Sequence, residues 1–165
     1  MIILGVDPGL SITGYGVVEI CGNKPVCLKY GGIRSGRSMK LSEKLQKIYD
    51  EIRRIIEQFH PTACAIEDIF YHENIKTAIV MGHARGVVML AAQQADIPVL
   101  EYSPREVKMS TVGFGAASKQ QVQAMICRLL RLEELPRPLD ASDALAVALC
   151  HYNRSRFQNL IRNRH

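Results

Sequence analysis

The chain has 165 residues, 47% of them hydrophobic and 22% charged, which suits one domain with its own buried core. It carries 21 Lys and Arg against 16 Asp and Glu, and five cysteines with no Cys-x-x-Cys pair. No apolar run approaches the ~20 residues that a membrane span needs. These features speak against a helical membrane protein, a disulfide framework and a zinc ribbon. They leave reduced structural thiols, a cytoplasmic location and a phosphate-bearing partner as the expectation.

The first third reads as three strands. Residues 2–7 are continuously apolar up to Asp7, as in a central strand buried on both faces. Asp7-Pro8-Gly9 breaks that run, and Gly14–Ile20 and Val26–Ile33 follow as strands joined by short turns, which favour antiparallel pairing. The period then changes. Leu41, Leu45, Ile48, Ile52, Ile55 and Phe59 mark one face of an amphipathic helix, which His60-Pro61 ends. Thr62–Glu67 is a short apolar strand, 67–74 a loop, 75–95 a second helix and Ile97–Tyr102 a further strand. Helices are then expected over about 105–112, 119–132 and 141–152, separated by turns at Gly113-Phe114-Gly115 and Pro136-Arg137-Pro138.

A block of strands followed by strand–helix alternation predicts a mixed five-stranded sheet with helices on both faces. Three N-terminal strands would pair antiparallel, and the strands ending at Asp7, Glu67 and Tyr102 would be mutually parallel. Residues 1–152 form the expected domain, and 153–165 a basic C-terminal tail with Arg154, Arg156, Arg162 and Arg164 and no acid.

Four carboxylates stand out against this frame. Taken singly, each has an ordinary explanation: Asp7 initiates a turn, Glu67-Asp68 is a solvated strand end, and Asp140 caps a helix with Asp143 in its first turn. Jointly they are harder to dismiss. Parallel neighbours align their C-terminal ends, so Asp7 and Glu67 fall at the one sheet edge where α/β sheets bind ligands. Asp140 and Asp143, three apart on a helix, share a face. If the four converge, they form an oxygen-rich pocket for a hard cation such as Mg²⁺ or Mn²⁺. The rest of the chain would then carry 21 basic against 12 acidic side chains.

Gly5-Val6-Asp7-Pro8-Gly9 with Thr13-Gly14-Tyr15-Gly16 resembles the opening motif of RuvC Holliday-junction resolvases. Ala65-Ile66-Glu67-Asp68-Ile69-Phe70 resembles their second acidic block. Ala84-Arg85-Gly86-Val87, Glu101-Tyr102, Val107-Lys108, Val112-Gly113, Lys119-Gln120-Gln121-Val122 and Asp140-Ala141-Ser142-Asp143-Ala144-Leu145-Ala146 follow in the family's order.

The resemblance implies a ribonuclease H-like fold, with Asp7, Glu67, Asp140 and Asp143 as catalytic metal ligands for one or two Mg²⁺ per subunit (Mn²⁺ as substitute). It further implies a homodimer that nicks four-way DNA junctions symmetrically in homologous recombination and repair. Each cut would leave 5′-phosphate and 3′-hydroxyl ends, in concert with the RuvA–RuvB branch-migration complex. Phe70 would be a wedge stacking on distorted bases, and the adjacent Tyr71 a second stacking candidate. Lys108 and Lys119 would hold phosphate near the site. The histidines and cysteines need no catalytic role.

Two rivals remain at this point. Asp7-x-Gly9 followed by Thr13-Gly14 also resembles the phosphate-1 loop of actin-like ATPases and sugar kinases, although no second phosphate motif or adenosine motif is present. A catalytically silent junction-binding module is the other, and the complete acidic set argues against it.

Overall fold

A computed structural model of the chain describes residues 1–68 and 75–162. Five strands, β1 (Ile2–Asp7), β2 (Ile12–Cys21), β3 (Lys24–Arg34), β4 (Ala63–Glu67) and β5 (Val99–Tyr102), form one sheet in the order β3-β2-β1-β4-β5. β1 pairs antiparallel with β2 and parallel with β4, β2 pairs antiparallel with β3, and β4 pairs parallel with β5. The expected mixed sheet is present, with β1 at its centre.

Strand parity sorts the side chains onto two faces. Leu4, Val6, Cys64 and Ile66 point to the face covered by α1 (Leu41–Phe59) and α2 (Ile75–Gln93), against Ile48, Ile52, Ile55, Ala84 and Val88. Ile3, Ala65 and Val18 point to the other face, where α3 (Pro104–Val112), α4 (Lys119–Leu129) and α5 (Leu139–Arg162) pack. Both layers are dry, and each fully buried Leu or Ile contributes about 1.5–3 kcal/mol.

The helical stripe of α1 is shifted from its expected position. Leu41 is exposed, and Ile56 takes part in the buried face instead, because the first turn overhangs the sheet. The helix ends as expected: His60 adopts φ 47°, its amide donates to the Ile56 carbonyl at 2.8 Å, and Pro61 follows.

α5 departs from expectation at both ends. It starts at Leu139, so Asp140 lies inside the first turn and not at the cap. It runs ten residues past Tyr152, through most of the segment expected as a tail; residues 163–165 lie outside the described residues. Tertiary contacts hold this extension. Tyr152 Oη donates to the Asn23 carbonyl at 3.0 Å, and Asn153 Nδ2 donates to Ser110 Oγ at 3.1 Å. The Arg154 guanidinium sits 5.6 Å from the Tyr102 ring centre.

The seat of α5 on the sheet is built from glycine. A Cβ on Gly5 would lie 2.1 Å from the Ala144 carbonyl oxygen, and one on Gly14 would lie 2.0 Å from that of Asp140. At Gly16 it would lie 2.6 Å from Leu145 Cδ2. All three glycines are on the α5 face of their strands, so the helix backbone rests directly on β1 and β2. Gly14→Ala must therefore displace the first turn of α5 and is expected to cost several kcal/mol, about the upper range of overpacking changes. Chemical denaturation measures this, and a loss below ~0.5 kcal/mol would contradict the contact.

Beneath the same helix, His151 is buried with Nδ1 2.7 Å from the Tyr102 hydroxyl. Burial, reinforced by Arg154, holds its imidazole below the ordinary range around 6.5. The unfolded chain takes up this proton first on acidification, so the native state loses stability as pH falls through that range. His151→Gln is expected to be destabilising at pH 7.5, with the gap to wild type narrowing by pH 5.5. Melting temperatures at the two pH values test this; a constant gap would refute a buried neutral imidazole.

Candidate active site

β1 and β4 align Val6 with Ile66, so Asp7 and Glu67 end adjacent strands one residue further on, at a spacing of roughly 4.8 Å between strands. Asp7 shares parity with Ile3 and Gly5, and Glu67 with Ala65. Both carboxylates therefore face α5. Gly14, opposite Asp7 in the β1–β2 register, brings the Asp140 backbone against the sheet there. Asp143 lies one turn further along and is buried. The two strand ends and the first turns of one helix thus bring all four acids together.

Electrostatics reports the crowding. Burial first, then Glu67, Asp143 and Asp140, push the Asp7 carboxyl up to about 8, with Lys119 opposing. Glu67 is raised by burial and by Asp143, while Lys119, a hydrogen bond from Asp7 and Lys108 work the other way. Lys119 Nζ stands 2.7 Å from Asp143 Oδ2. Its partial burial disfavours charge, yet Asp143, Asp7 and Glu67 hold the ammonium above the ordinary lysine range. Among the described residues no three His, Cys, Asp or Glu side chains form a ready-made chelate. The acids instead stand as an under-compensated cluster with one ammonium as counter-charge. An oxygen-only donor set of this charge fits a hard divalent cation.

Two capped helices deliver the lysines. In α3, Ser103 Oγ accepts from the Glu106 amide at 3.3 Å and Glu106 Oε2 accepts from the Ser103 amide at 2.9 Å. This capping box fixes the helix carrying Lys108. In α4, Ser118 and Gln121 make the same box, with Lys119 as the first helical residue. Both Ser-x-x-Glu/Gln signals stand in the sequence, and they are what orients the two lysines.

Two supports brace the strand ends, the second at Arg85, for which an acidic partner and a phosphate contact were both open from the sequence. Thr13, fully buried, donates from Oγ1 to the Gly9 carbonyl at 2.7 Å and ties down the turn after Asp7. Arg85 pairs with Asp68 at 3.0 Å and with Glu101, joining α2 to the residue after Glu67 and to β5. That resolves Arg85 as a partner of carboxylates. Phe70, Tyr71 and His72 lie outside the described residues.

Comparison with known proteins accords with this arrangement. Residues 3–151 match the family model for crossover junction endodeoxyribonuclease RuvC. The chain is 49% identical over 163 residues to the crossover junction endodeoxyribonuclease RuvC of Ruminiclostridium cellulolyticum, covering 99% of this chain and 98% of that one. It is 47% identical over 156 residues to that of Thermotoga petrophila, covering 94% of each. Among solved structures it is similar to Thermus thermophilus RuvC in complex with Holliday junction substrate. That match has TM-score 0.91 and 34% identity and covers 96% of both chains. The sheet order and helix placement are thus the ribonuclease H-like arrangement expected from the sequence, and the chain belongs to the RuvC family of crossover junction endodeoxyribonucleases.

Proposed function

We propose that this protein is a crossover junction endodeoxyribonuclease that resolves four-way DNA junctions, with Asp7, Glu67, Asp140 and Asp143 as its catalytic metal ligands. Family membership supports the activity. The observation that carries the residue assignment is the meeting of the four carboxylates at one end of the sheet, crowded enough to hold Asp7 protonated to about 8.

One or two Mg²⁺ ions, or Mn²⁺ in their place, would supply an activated water and charge neutralisation at the scissile phosphate. The chain's own groups define the rest. Asp7 and Glu67 end β1 and β4, each paired with a neighbour on both sides, so their oxygens would be held in place before substrate arrives. Lys119 balances the cluster while no phosphate is present and is placed to meet one when DNA enters. Lys108, whose charge reaches Glu67, flanks the opposite side. Phe70 and Tyr71, directly following the Glu67 strand, would stack on bases opened at the crossover. No side-chain nucleophile is required, and cleavage by water leaves a 5′-phosphate and a 3′-hydroxyl.

A four-way junction has two equivalent strands to cut, which a two-fold dimer matches with one site per subunit. The outer face of α2 suits such pairing. Ile79, Gly82, His83, Gly86 and Leu90 are all exposed and recur at helical spacing, and open space surrounds both glycines. By family resemblance the RuvA–RuvB complex is the expected working partner. Among the described residues no helix is long and apolar enough to cross a membrane.

The decisive assay is cleavage of a synthetic four-way junction with Mg²⁺ or Mn²⁺, using linear duplex as control. Wild type is expected to nick the junction, and Asp7→Asn to bind it with cleavage reduced at least about 10³-fold, on the order of losing a main electrostatic contribution. Binding without cleavage by both proteins would overturn the nuclease reading.

A second test reads the metal site without activity. In the unfolded chain the Asp7 carboxyl ionises near 3.8, whereas in the folded protein it keeps its proton to about 8. Wild type therefore loses stability as pH rises across that window, and an asparagine does not. In EDTA at pH 7.5, Asp7→Asn should be the more stable protein by on the order of 1–2 kcal/mol. Adding Mg²⁺ should raise the melting temperature of wild type and leave that of Asp7→Asn nearly unchanged. Equal shifts in both proteins would remove Asp7 from the metal site.

A further inference from the structure

We infer that a groove beside the carboxylate cluster, between the end of β3 and the loop leading into α5, is a binding track for the phosphate backbone of one DNA strand. Arg34 and Arg137 are the residues that grip it. This rests on the resolvase reading above and extends it to residues outside the active site.

The groove encloses about 530 Å³ and is lined by Arg34, Gln120, Gln123, Leu135, Arg137 and Pro138. Its location follows from the fold. Gly32 and Arg34 share parity on β3, so both lie on the α5 face. A Cβ at Gly32 would come within 2.7 Å of Pro138 Cγ, so the loop before α5 rests on β3 through that glycine. Arg34 is two residues beyond this contact and Arg137 one residue before it. The two guanidiniums thus flank one seam. On its other wall, Gln123 Nε2 donates to the Pro136 carbonyl at 2.9 Å and holds the loop against α4.

Two lining residues adjoin residues of the active site in the chain. Leu139, which also lines it, immediately precedes Asp140. Gln120 follows Lys119, whose ammonium touches Asp143. A strand whose phosphate lies at the four carboxylates would leave along this seam.

The chemistry of the lining selects the ligand. No carboxylate borders the groove, whereas the groove along α1 sets Glu43, Asp50 and Glu51 against Lys47 and Arg54 and offers a polyanion no net positive charge. Arg34 and Arg137 are exposed, and neither has an ion-pair partner among the described residues. Unpaired guanidiniums offer bidentate donors to phosphate oxygens. Gln120 adds an exposed amide, and Leu135 an apolar edge for sugar or base. Two guanidiniums flanking one open seam suit successive phosphates, so the contact is assigned to the backbone and expected to be independent of sequence.

The test is fluorescence anisotropy of a labelled synthetic four-way junction, titrated in EDTA over a range of NaCl concentrations. Relative to wild type, the double variant R34Q/R137Q should bind at least about ten-fold more weakly at 0.1 M salt. Its plot of log affinity against log salt should be shallower by nearly two, one phosphate contact per arginine. R34K/R137K, which keeps the charge, should recover most of the affinity and the wild-type slope. R53Q/R54Q removes the same charge from α1 on the far side of the sheet and should bind like wild type. An unchanged slope in R34Q/R137Q would overturn the inference, as would an equal loss in R53Q/R54Q. If wild type cuts the junction and R34Q/R137Q matches it in affinity, the groove assignment alone fails. If wild type neither binds nor cuts, the resolvase reading falls and the groove assignment with it.

Discussion

The direct contact between α5 and the glycines of β1 and β2 is the constraint on which the rest of this structure depends. An ordinary helix stands about 10 Å from a sheet, held off by side chains on both sides. Here Gly5, Gly14 and Gly16 remove one set, and Ala141, Ala144 and Ala148 shrink the other. The helix backbone closes onto the strands, so Asp140 and Asp143 need only short side chains to reach Asp7. A longer spacing would require glutamates, with more rotamers to freeze and less certain positions. The glycines thus set the geometry of the carboxylate cluster although none of them has a side chain to contribute.

That closeness has an electrostatic cost, and the charge distribution of the chain shows how it is met. Four acids meet in a largely water-excluded corner, where like charges repel strongly and desolvation raises the first pKa. Lys119 offsets part of this, held at the start of α4 by its capping box. The remaining deficit is what a divalent cation or an incoming phosphate–metal pair would relieve under the proposed assignment. Stability in the metal-free protein and affinity for metal are therefore opposed at this site, as is common where function requires a strained arrangement. Beyond Lys119 and Lys108, the chain's basic excess leaves a surplus of positive charge suited to a polyanionic substrate.

How far the sequence disclosed this follows from which interactions are local. The sheet was legible because continuous apolar runs and short turns are local signals, and Asp7 and Glu67 were legible as a pair because both terminate such runs. Strand parity adds that both face α5, since Gly5 and Ala65 are two residues before them. The start of α5 was placed two residues late because Pro138 and Leu139 carry no capping side chain and read as loop. Its far end was placed ten residues early. After Tyr152 most residues are polar and the apolar Phe157, Leu160 and Ile161 are exposed, while Tyr152, Asn153 and Arg154 make tertiary contacts with Asn23, Ser110 and Tyr102 that the sequence does not announce. The role of Arg85 was open for the same reason: its partners Asp68 and Glu101 come from two other elements.

These supports explain why the site tolerates being built at the ends of elements. Strand termini and first helical turns are where backbone groups lack regular partners and where motion is ordinarily largest. Each one here is closed by a specific side-chain or backbone contact. Thr13 closes the turn after Asp7, Arg85 braces the residue after Glu67, Gly14 seats the Asp140 turn, and Ser118 with Gln121 fixes the helix start that carries Lys119. Removing one tie acts first on the one group it holds, Asp7, Glu67, Asp140 or Lys119. The precision of the cluster is therefore a property of four independent local closures on one rigid sheet. At Gly14 the closure of the site and the packing of the fold are one contact, because the glycine that seats the Asp140 turn also seats α5 on the sheet.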